Sequence, residues 1–227
     1  MNCWICGCEA NSGEHLIKAS DLKSLFGHVT QKSPLYFHTD QKRNQPIPGI
    51  KSNKLKYQAL LCSRCNNERT QPHDMAWERF STYLRDCKPS IRPNMLVRLD
   101  HAFPGNVSKS MLAVHLFFVK LFGCLITENN IPIDIEQFSR SVMQGLPHPK
   151  VWLAFWTGLH HPRIKHVGCS QVETAQLAGS VAYASWFYVV DKVAVNVMFA
   201  EPGERRKGLV HAWHPLSVGK YVRIVGQ

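Results

Sequence analysis

The spacing of hydrophobic positions predicts two helices in the middle of the chain. Apolar residues recur at helical spacing over residues 108–127 and 135–143, and the two segments are expected to pack together. The longer segment contains the apolar stretch 111–126, which is interrupted by His115, Lys120 and Gly123. These interruptions favour a buried amphipathic helix over a membrane span.

Beyond residue 150 the pattern changes to segments rich in β-branched and aromatic residues, as strands are. The predicted strands are residues 151–156, 181–190, 193–199 and 221–225. Asp191-Lys192 fits a tight hairpin turn between the second and the third strand. The C-terminal half is therefore predicted to be an α+β unit with an antiparallel sheet.

The elements predicted before residue 88 are short, apart from one helix. Pro72 suits the first turn of that helix, which is expected over residues 73–86 with Met75, Phe80 and Leu84 near one face. The shorter predictions are a strand at 15–17, a helix at 21–26 closed by Gly27, a strand at 36–39, a loop at 41–49 and a strand at 55–61.

A cluster of proline and glycine separates the two halves of the chain. Residues 88–105 contain Pro89, Pro93, Pro104 and Gly105, a composition typical of a linker. The length of 227 residues allows one large domain or two small ones. We predict one domain at residues 1–88 and an α+β domain of unassigned family at residues 106–227.

Two C-x-x-C pairs predict a metal site near the N-terminus. Cys3 and Cys6 form the first pair, and Cys62 and Cys65 form the second. Four thiolates in this arrangement bind Zn²⁺ tetrahedrally and leave no open position, so the zinc is expected to be structural. Cys8 lies close enough to compete as a ligand, and the ligand set stays open at this point.

The formal net charge of +11 predicts a polyanionic partner, most simply nucleic acid. The densest basic run is residues 32–56, which either contacts phosphates or is a solvated surface. The first residues are not those of a signal peptide, and no membrane partner is expected. We read the remaining cysteines as reduced thiols and expect a cytoplasmic protein.

The dipeptide Glu14-His15, just after the first knuckle, carries candidate catalytic groups. Hydrolysis of a phosphodiester needs a base to activate water and a cation to neutralise the phosphate. An imidazole accepts a proton near neutral pH, so His15 is the natural base. Glu14 offers a hard oxygen to Mg²⁺, and Asn66, directly after Cys65, can supply a second one.

The order of these motifs resembles the HNH (ββα-metal) endonucleases that carry zinc knuckles. The resemblance covers roughly residues 1–86 and implies an α+β chain with an N-terminal zinc-supported ββα-metal module, followed by the helical and antiparallel-sheet domain. It implies a DNA endonuclease that uses Mg²⁺ or Mn²⁺, with His15 as general base and Glu14 and Asn66 as ligands of the catalytic ion. It also implies an asparagine that steadies the loop orienting the base, either Asn53 or Asn44.

The chain departs from the family pattern at the helix that carries the metal ligand. Asn66 stands where many members have histidine, and His73 or Asp74 could supply a further ligand. The alternative is that both are ordinary first-turn residues of the helix. Two other functions stay open: a zinc-ribbon nucleic-acid-binding protein without cleavage, and a nuclease that uses the same site on RNA.

Overall fold

The computed structural model describes residues 1–58, 60–158, 164–217 and 219–226, and has a mixed α+β architecture. The helices are α1 (Ala19–Phe26), α2 (Gln71–Asp86), α3 (Leu99–Ala102), α4 (Val107–Glu128) and α5 (Ile135–Gln144). The strands are β1 (Leu35–Phe37), β2 (Gln45–Ile47), β3 (Leu96–Arg98), β4 (Val151–Thr157), β5 (Val167–Cys169), β6 (Glu173–Leu177), β7 (Ser180–Val190), β8 (Val193–Ala200) and β9 (Tyr221–Gly226).

The long helices lie where the hydrophobic spacing predicts them, within two residues at each end. Asn106 caps α4 by accepting a hydrogen bond from the backbone of Lys109, and Asp134 caps α5 in the same manner. Helices α4 and α5 pack together as expected, with the rings of Phe122 and Phe138 5.8 Å apart. The predicted helices in this part of the chain are confirmed.

Helix α2 buries Phe80 and Leu84 as predicted, but it exposes Met75. Trp77, Phe80 and Leu84 are fully buried, whereas Met75 is 63% exposed. The buried positions follow a spacing of three or four residues, and Met75 lies two positions away from Trp77, on the other side of the helix. The prediction was therefore wrong for Met75 and right for the other two residues.

Strands β3 to β9 form one sheet in the order β3-β9-β4-β8-β7-β5, with β6 also pairing with β7. The β7–β8 hairpin turns at Asp191, as predicted, where φ is +53°. Strands β4 and β9 run parallel, with Phe155 opposite Ile224, so the prediction of a purely antiparallel sheet was wrong. Hydrophobic alternation marks a strand but carries no information about its direction.

Several short strands escaped the sequence analysis, because three to five residues give too little alternation to recognise. Strand β3 lies in the predicted linker, and β5 and β6 lie in a stretch without a predicted element. Strand β2 lies in the predicted loop 41–49 and pairs with β1 through Pro46. The strand predicted at 55–61 is reduced to isolated pairs of His15 with Lys56 and Ser12 with Leu61, and residue 59 lies outside the described residues.

Helix α4 is the centre of the hydrophobic core. By length and composition it is the one helix in the described ranges that could cross a bilayer, but 78% of its most apolar window is buried within the fold. Its Phe117 and Phe118 rings contact Trp77 of α2, which also contacts Tyr188 of β7. Such burial is typical of a core helix.

The two segments on either side of residues 88–105 share this core. The indole of Trp4, beside Cys3, packs on Gly123 of α4, where an added Cβ would lie 2.5 Å from the ring. The buried carboxylate of Asp21 accepts hydrogen bonds from Trp77 Nε1 at 2.8 Å and from Tyr188 OH at 3.0 Å. The division into two domains stays a prediction, and the segments it separates are in direct contact.

Three histidines are buried together where α4 meets the loops before β4 and β9. His148 donates its backbone N–H to His115 Nε2 at 3.1 Å, and its carbonyl lies 3.0 Å from His214 Nε2. Burial lowers the pKa of His148 to about 3, and the neighbouring Lys150 acts in the same direction. All three imidazoles have lowered pKa values, so the native fold keeps them neutral.

Acidification to pH 5 is expected to destabilise the fold through His148. Its pKa falls from about 6.5 in the unfolded chain to about 3 in the native fold. The native state therefore binds fewer protons, and its stability is complete above pH 6.5 and falls as the pH drops towards 3. The loss through this one group between pH 7.5 and pH 5 is about 2 kcal/mol.

His148 Nδ1 accepts a hydrogen bond from Lys150 N at 3.2 Å, which the side-chain oxygen of Asn can replace. Urea titrations of the parent and of His148→Asn at pH 7.5 and pH 5 measure how much stability His148 costs the fold on acidification. The variant should lose about 2 kcal/mol less than the parent over that pH interval. His211→Asn, at an exposed histidine, should lose as much as the parent. An equal pH dependence of the parent and His148→Asn would show that His148 does not carry the effect.

Candidate metal centre and adjoining polar site

The four cysteines of the two C-x-x-C pairs come together as predicted. The Sγ atoms of Cys3, Cys6, Cys62 and Cys65 all lie within 4.8 Å of one another. Cys6 Sγ and Cys62 Sγ are 3.6 Å apart, close to the roughly 3.8 Å edge of a tetrahedron with Zn–S bonds of about 2.3 Å. The group could therefore hold a metal ion such as zinc, and its spacing fits four-thiolate coordination.

Local backbone structure forms the two turns that carry these thiols. Gly7 adopts a φ of +76°, which closes the first turn so that its N–H reaches the carbonyl of Cys3 at 2.8 Å. In the second turn the N–H of Cys65 points at Cys62 Sγ at 3.4 Å. A π-helical turn, Arg64–Arg69, then leads into α2.

Positive groups offset the charge of the thiolates. Arg69 Nη1 lies 3.1 Å from Cys65 Sγ. A backbone hydrogen bond from Cys8 lowers the pKa of the Cys6 thiol to about 6, whereas burial raises the pKa values of the Cys3 and Cys65 thiols. Cys8 itself is exposed and lies outside the four-atom group, so the group that could hold a metal ion consists of the two C-x-x-C pairs.

The metal centre lies beside the place where residues 12–16 meet residues 55–61. Tyr57 N donates to the carbonyl of Glu14 at 2.8 Å, and Leu16 N donates to the carbonyl of Leu55 at 2.8 Å. Glu14 and His15 are therefore in extended backbone, and their side chains leave it on opposite sides. Glu14 is 8% exposed, and His15 is half-buried.

The imidazole of His15 is neutral and retains a free nitrogen. Its Nε2 is buried without a hydrogen-bond partner in the part of the chain that the structure describes. Burial lowers the pKa of His15, and the positive charge of Lys56 lowers it further, while the backbone of Ile50 acts in the opposite direction. A neutral imidazole with an unused nitrogen can accept a proton.

Glu14 is paired with Lys120, and the sequence did not predict this pairing. Lys120 Nζ of α4 lies 3.2 Å from Glu14 Oε2 and 2.8 Å from Asp74 Oδ1. Burial alone would lower the pKa of Lys120, but the two carboxylates outweigh it and raise that pKa. Burial raises the pKa of Glu14, and Lys120 opposes this rise.

Asn66 lies against the segment that precedes Glu14. Its Nδ2 donates to Ser12 Oγ at 2.9 Å and lies 3.5 Å from the carbonyl of Gly13. Its Oδ1 has no hydrogen-bond partner among the described residues, and neither has the second carboxylate oxygen of Glu14. Both are hard oxygens of the kind that Mg²⁺ prefers.

The other predicted site residues differ in their surroundings. His73 is 9% exposed with an unpartnered Nδ1, and burial lowers its pKa to about 4. Asn53 and Asn44 are both exposed, and the backbone that faces the His15 ring belongs to Ile50. The role of either asparagine in orienting the base stays a prediction.

The described residues bring together one converging group of candidate metal-ligand atoms. Within residues 1–58, 60–158, 164–217 and 219–226, the four cysteines form the one group of three or more His, Cys, Asp or Glu ligand atoms that converges. Glu14, Asp74 and His73 lie around Lys120 without forming a second such group.

Comparisons of the chain with protein-family models, with curated proteins and with solved structures found no match.

Proposed function

We propose that the protein is an HNH-type endonuclease that hydrolyses phosphodiester bonds of nucleic acid, with double-stranded DNA as the expected substrate. The observation that carries the proposal is the unpartnered Nε2 of His15, which belongs to an imidazole kept neutral by burial and by Lys56. His15 follows Ser12 and Gly13, which Asn66 contacts. Glu14 leaves the backbone on the side opposite to His15, so the proposal requires this segment to bend or twist for both groups to act on one phosphate. The four-cysteine group stabilises this arrangement from one side.

His15 is assigned the role of general base. In this mechanism Nε2 removes a proton from the attacking water, while the backbone of Ile50 hydrogen-bonds the ring. Because the pKa of His15 is lowered, the imidazole is in its basic form at neutral pH. A base that is already unprotonated needs no neighbouring carboxylate to activate it.

A divalent cation would be held by Glu14 and Asn66, whose free oxygens suit Mg²⁺ or Mn²⁺, with His73 as a further candidate. When bound, such an ion neutralises negative charge on the phosphate and on the leaving oxygen. Asn66 is fixed by Ser12, and Glu14 by Lys120, so both oxygens are oriented by other side chains.

The charge around His15 supports a polyanionic substrate. Lys56 is the cross-strand neighbour of His15, so the two side chains lie on the same side of the paired backbones. Lys18 and Lys120 also lower the pKa of His15 through their charge. With a net charge of +11, the protein is expected to attract phosphate backbones, and more weakly as salt increases.

A second candidate is a zinc-containing nucleic-acid-binding protein that does not cleave. The observation that favours it is the burial of His15 Nε2, since a substrate phosphate must displace part of its surroundings to reach it. An RNA-directed nuclease would use the same groups, because they act on phosphate rather than on bases. An assay that measures both binding and cleavage of DNA and of RNA separates these three functions.

Replacing His15 with Ala should slow cleavage by roughly 10²- to 10⁴-fold, the usual contribution of a positioned general base. The measurement is single-turnover nicking of plasmid DNA, and cleavage of labelled RNA, with Mg²⁺ or Mn²⁺ and with EDTA. Affinity for the nucleic acid should not change, because the phosphate contacts are assigned to lysines.

His28→Ala is the matched control, because His28 is exposed and lies away from the site elements, just after α1. It should cleave at the parental rate. Parental cleavage by His15→Ala would place the base elsewhere. A parent protein that binds but cleaves neither DNA nor RNA would favour the binding module.

A further inference from the structure

Lys120 is a charged residue at the centre of an apolar helix. Its side chain has no exposed surface, and its neighbours in the helix, Val119 and Leu121, are also fully buried. Taking an ammonium group out of water is costly unless it is paired and hydrogen-bonded. A hydrophobic residue of similar volume would often stabilise such a position at least as well, so stability alone does not explain the lysine.

The partners of Lys120 come from two other parts of the proposed site. Glu14 belongs to the segment before His15, and Asp74 belongs to the first turn of α2. The Lys120 ammonium also lies 5.6 Å from the centre of the Phe117 ring. It therefore ties α4, α2 and the Glu14 segment together at one point.

The solvent exposure of the three charged side chains increases from Lys120 through Glu14 to Asp74. The Lys120 side chain is 0% exposed, that of Glu14 is 10% exposed and that of Asp74 is 18% exposed. The ammonium thus lies behind the carboxylates, which retain contact with solvent. Two carboxylates share one ammonium, which donates a hydrogen bond to Asp74 Oδ1 at 2.8 Å and lies 3.2 Å from Glu14 Oε2.

We infer that Lys120 is a positioning residue of the proposed nuclease site, whose ammonium fixes the Glu14 carboxylate from the core of the fold. The inference rests on the proposed function, since it assigns Glu14 a task that needs a fixed place. The inference also gives helix α4 a role in the proposed site, because Lys120 of α4 then orients Glu14 in the N-terminal part that carries the four cysteines. Lys120 itself does not touch the substrate.

The kinetic test compares Lys120→Met with Leu121→Ala in the full, zinc-loaded chain. At saturating DNA with Mg²⁺ or Mn²⁺, Lys120→Met should cleave roughly 10- to 100-fold more slowly per folded molecule, as expected for a misplaced catalytic group. Its Kd for DNA should stay within about twofold of the parent, because phosphate contacts require exposed charges. Leu121→Ala disturbs the same helix without touching Glu14 and should keep the parental rate per folded molecule.

Lys120→Arg keeps the charge and should recover part of the lost rate, which a purely structural role would not predict. A folded Lys120→Met protein that cleaves within about twofold of the parental rate would overturn the inference.

Crystal structures of two variants test whether Lys120 positions Glu14, without any measurement of activity. Asp74→Asn retains Lys120, so a crystal structure of this variant should show the Glu14 carboxylate in its parental position. The double variant Asp74→Asn/Lys120→Met leaves one fewer unpaired buried carboxylate than Lys120→Met alone and so folds more readily. In its crystal structure the Glu14 carboxylate should have moved.

An unmoved Glu14 carboxylate in the double variant would overturn the inference, whatever the activity. A parent protein that cleaves neither DNA nor RNA would overturn the proposed function instead. In that case the two crystal structures still decide whether Lys120 positions Glu14.

Discussion

Cys62→Ser is expected to lose bound metal and the folded N-terminal region together, the largest effect predicted for this protein. The four Sγ atoms lie within 4.8 Å of one another, so the loss of one ligand opens the site. Structural zinc contributes on the order of 10 kcal/mol or more of apparent binding free energy in small zinc modules. A typical domain has only about 5–15 kcal/mol of total stability, so little is left without the metal.

The measurement is zinc content per purified chain, together with circular dichroism on heating. The parent should contain about one zinc per chain, as expected for one four-thiolate site. Cys8→Ser is the matched control: Cys8 is exposed and outside the group, so this variant should keep its zinc and its melting temperature. A metal-free Cys62→Ser/Cys65→Ser protein that keeps the parental melting temperature would show that the site is not needed for folding.

Asp21→Ala is expected to destabilise the fold by about 4 kcal/mol or more, because removing one partner of a buried ion pair typically costs 3–5 kcal/mol. Its carboxylate accepts hydrogen bonds from Trp77, from Ser81 at 3.1 Å and from Tyr188, and Arg85 Nη2 lies 3.5 Å away. Three donors and a nearly buried guanidinium would lose their acceptor at once. Without this carboxylate, α1 loses its hydrogen bonds to Trp77 and Ser81 of α2 and to Tyr188 of β7.

Urea denaturation at pH 7 measures this free energy of unfolding. Asp100→Ala is the control, since it removes a carboxylate from the exposed ion pair with Arg98, and it should change the stability little. A loss of less than about 1 kcal/mol in Asp21→Ala would mean that water replaces the carboxylate at these donors.

The parts of the fold that could be predicted are those that leave a long local pattern. Helix α4 repeats its hydrophobic spacing over 22 residues, and the β7–β8 hairpin combines long apolar strands with a turn at Asp191. Strand β3 spans only three residues, and the parallel pairing of β4 with β9 depends on how the chain returns to the sheet. Neither leaves a signal in a short window of sequence.

The candidate site likewise has a part that the sequence predicted and parts that it did not. The cysteine spacing predicted the four-thiolate group because a C-x-x-C turn is a local structure. The pairing of Lys120 with Glu14 joins residues 106 positions apart, as their numbers show, and only tertiary structure brings them together. A signal was nevertheless present, since a lysine in the middle of an apolar helix requires a buried carboxylate as its partner. Ile50, whose backbone faces His15, left no signal at all.

The position of β9 within the sheet has a consequence for synthesis of the protein. Strand β9 lies between β3 and β4, although it is the last of the described strands to be translated. The four cysteines are all present once Cys65 has left the ribosome, but the sheet stays divided until Gly226 follows. At about 5–20 residues per second, this interval lasts roughly 8–32 s. Zinc can therefore bind to the nascent chain well before strand β9 completes the sheet.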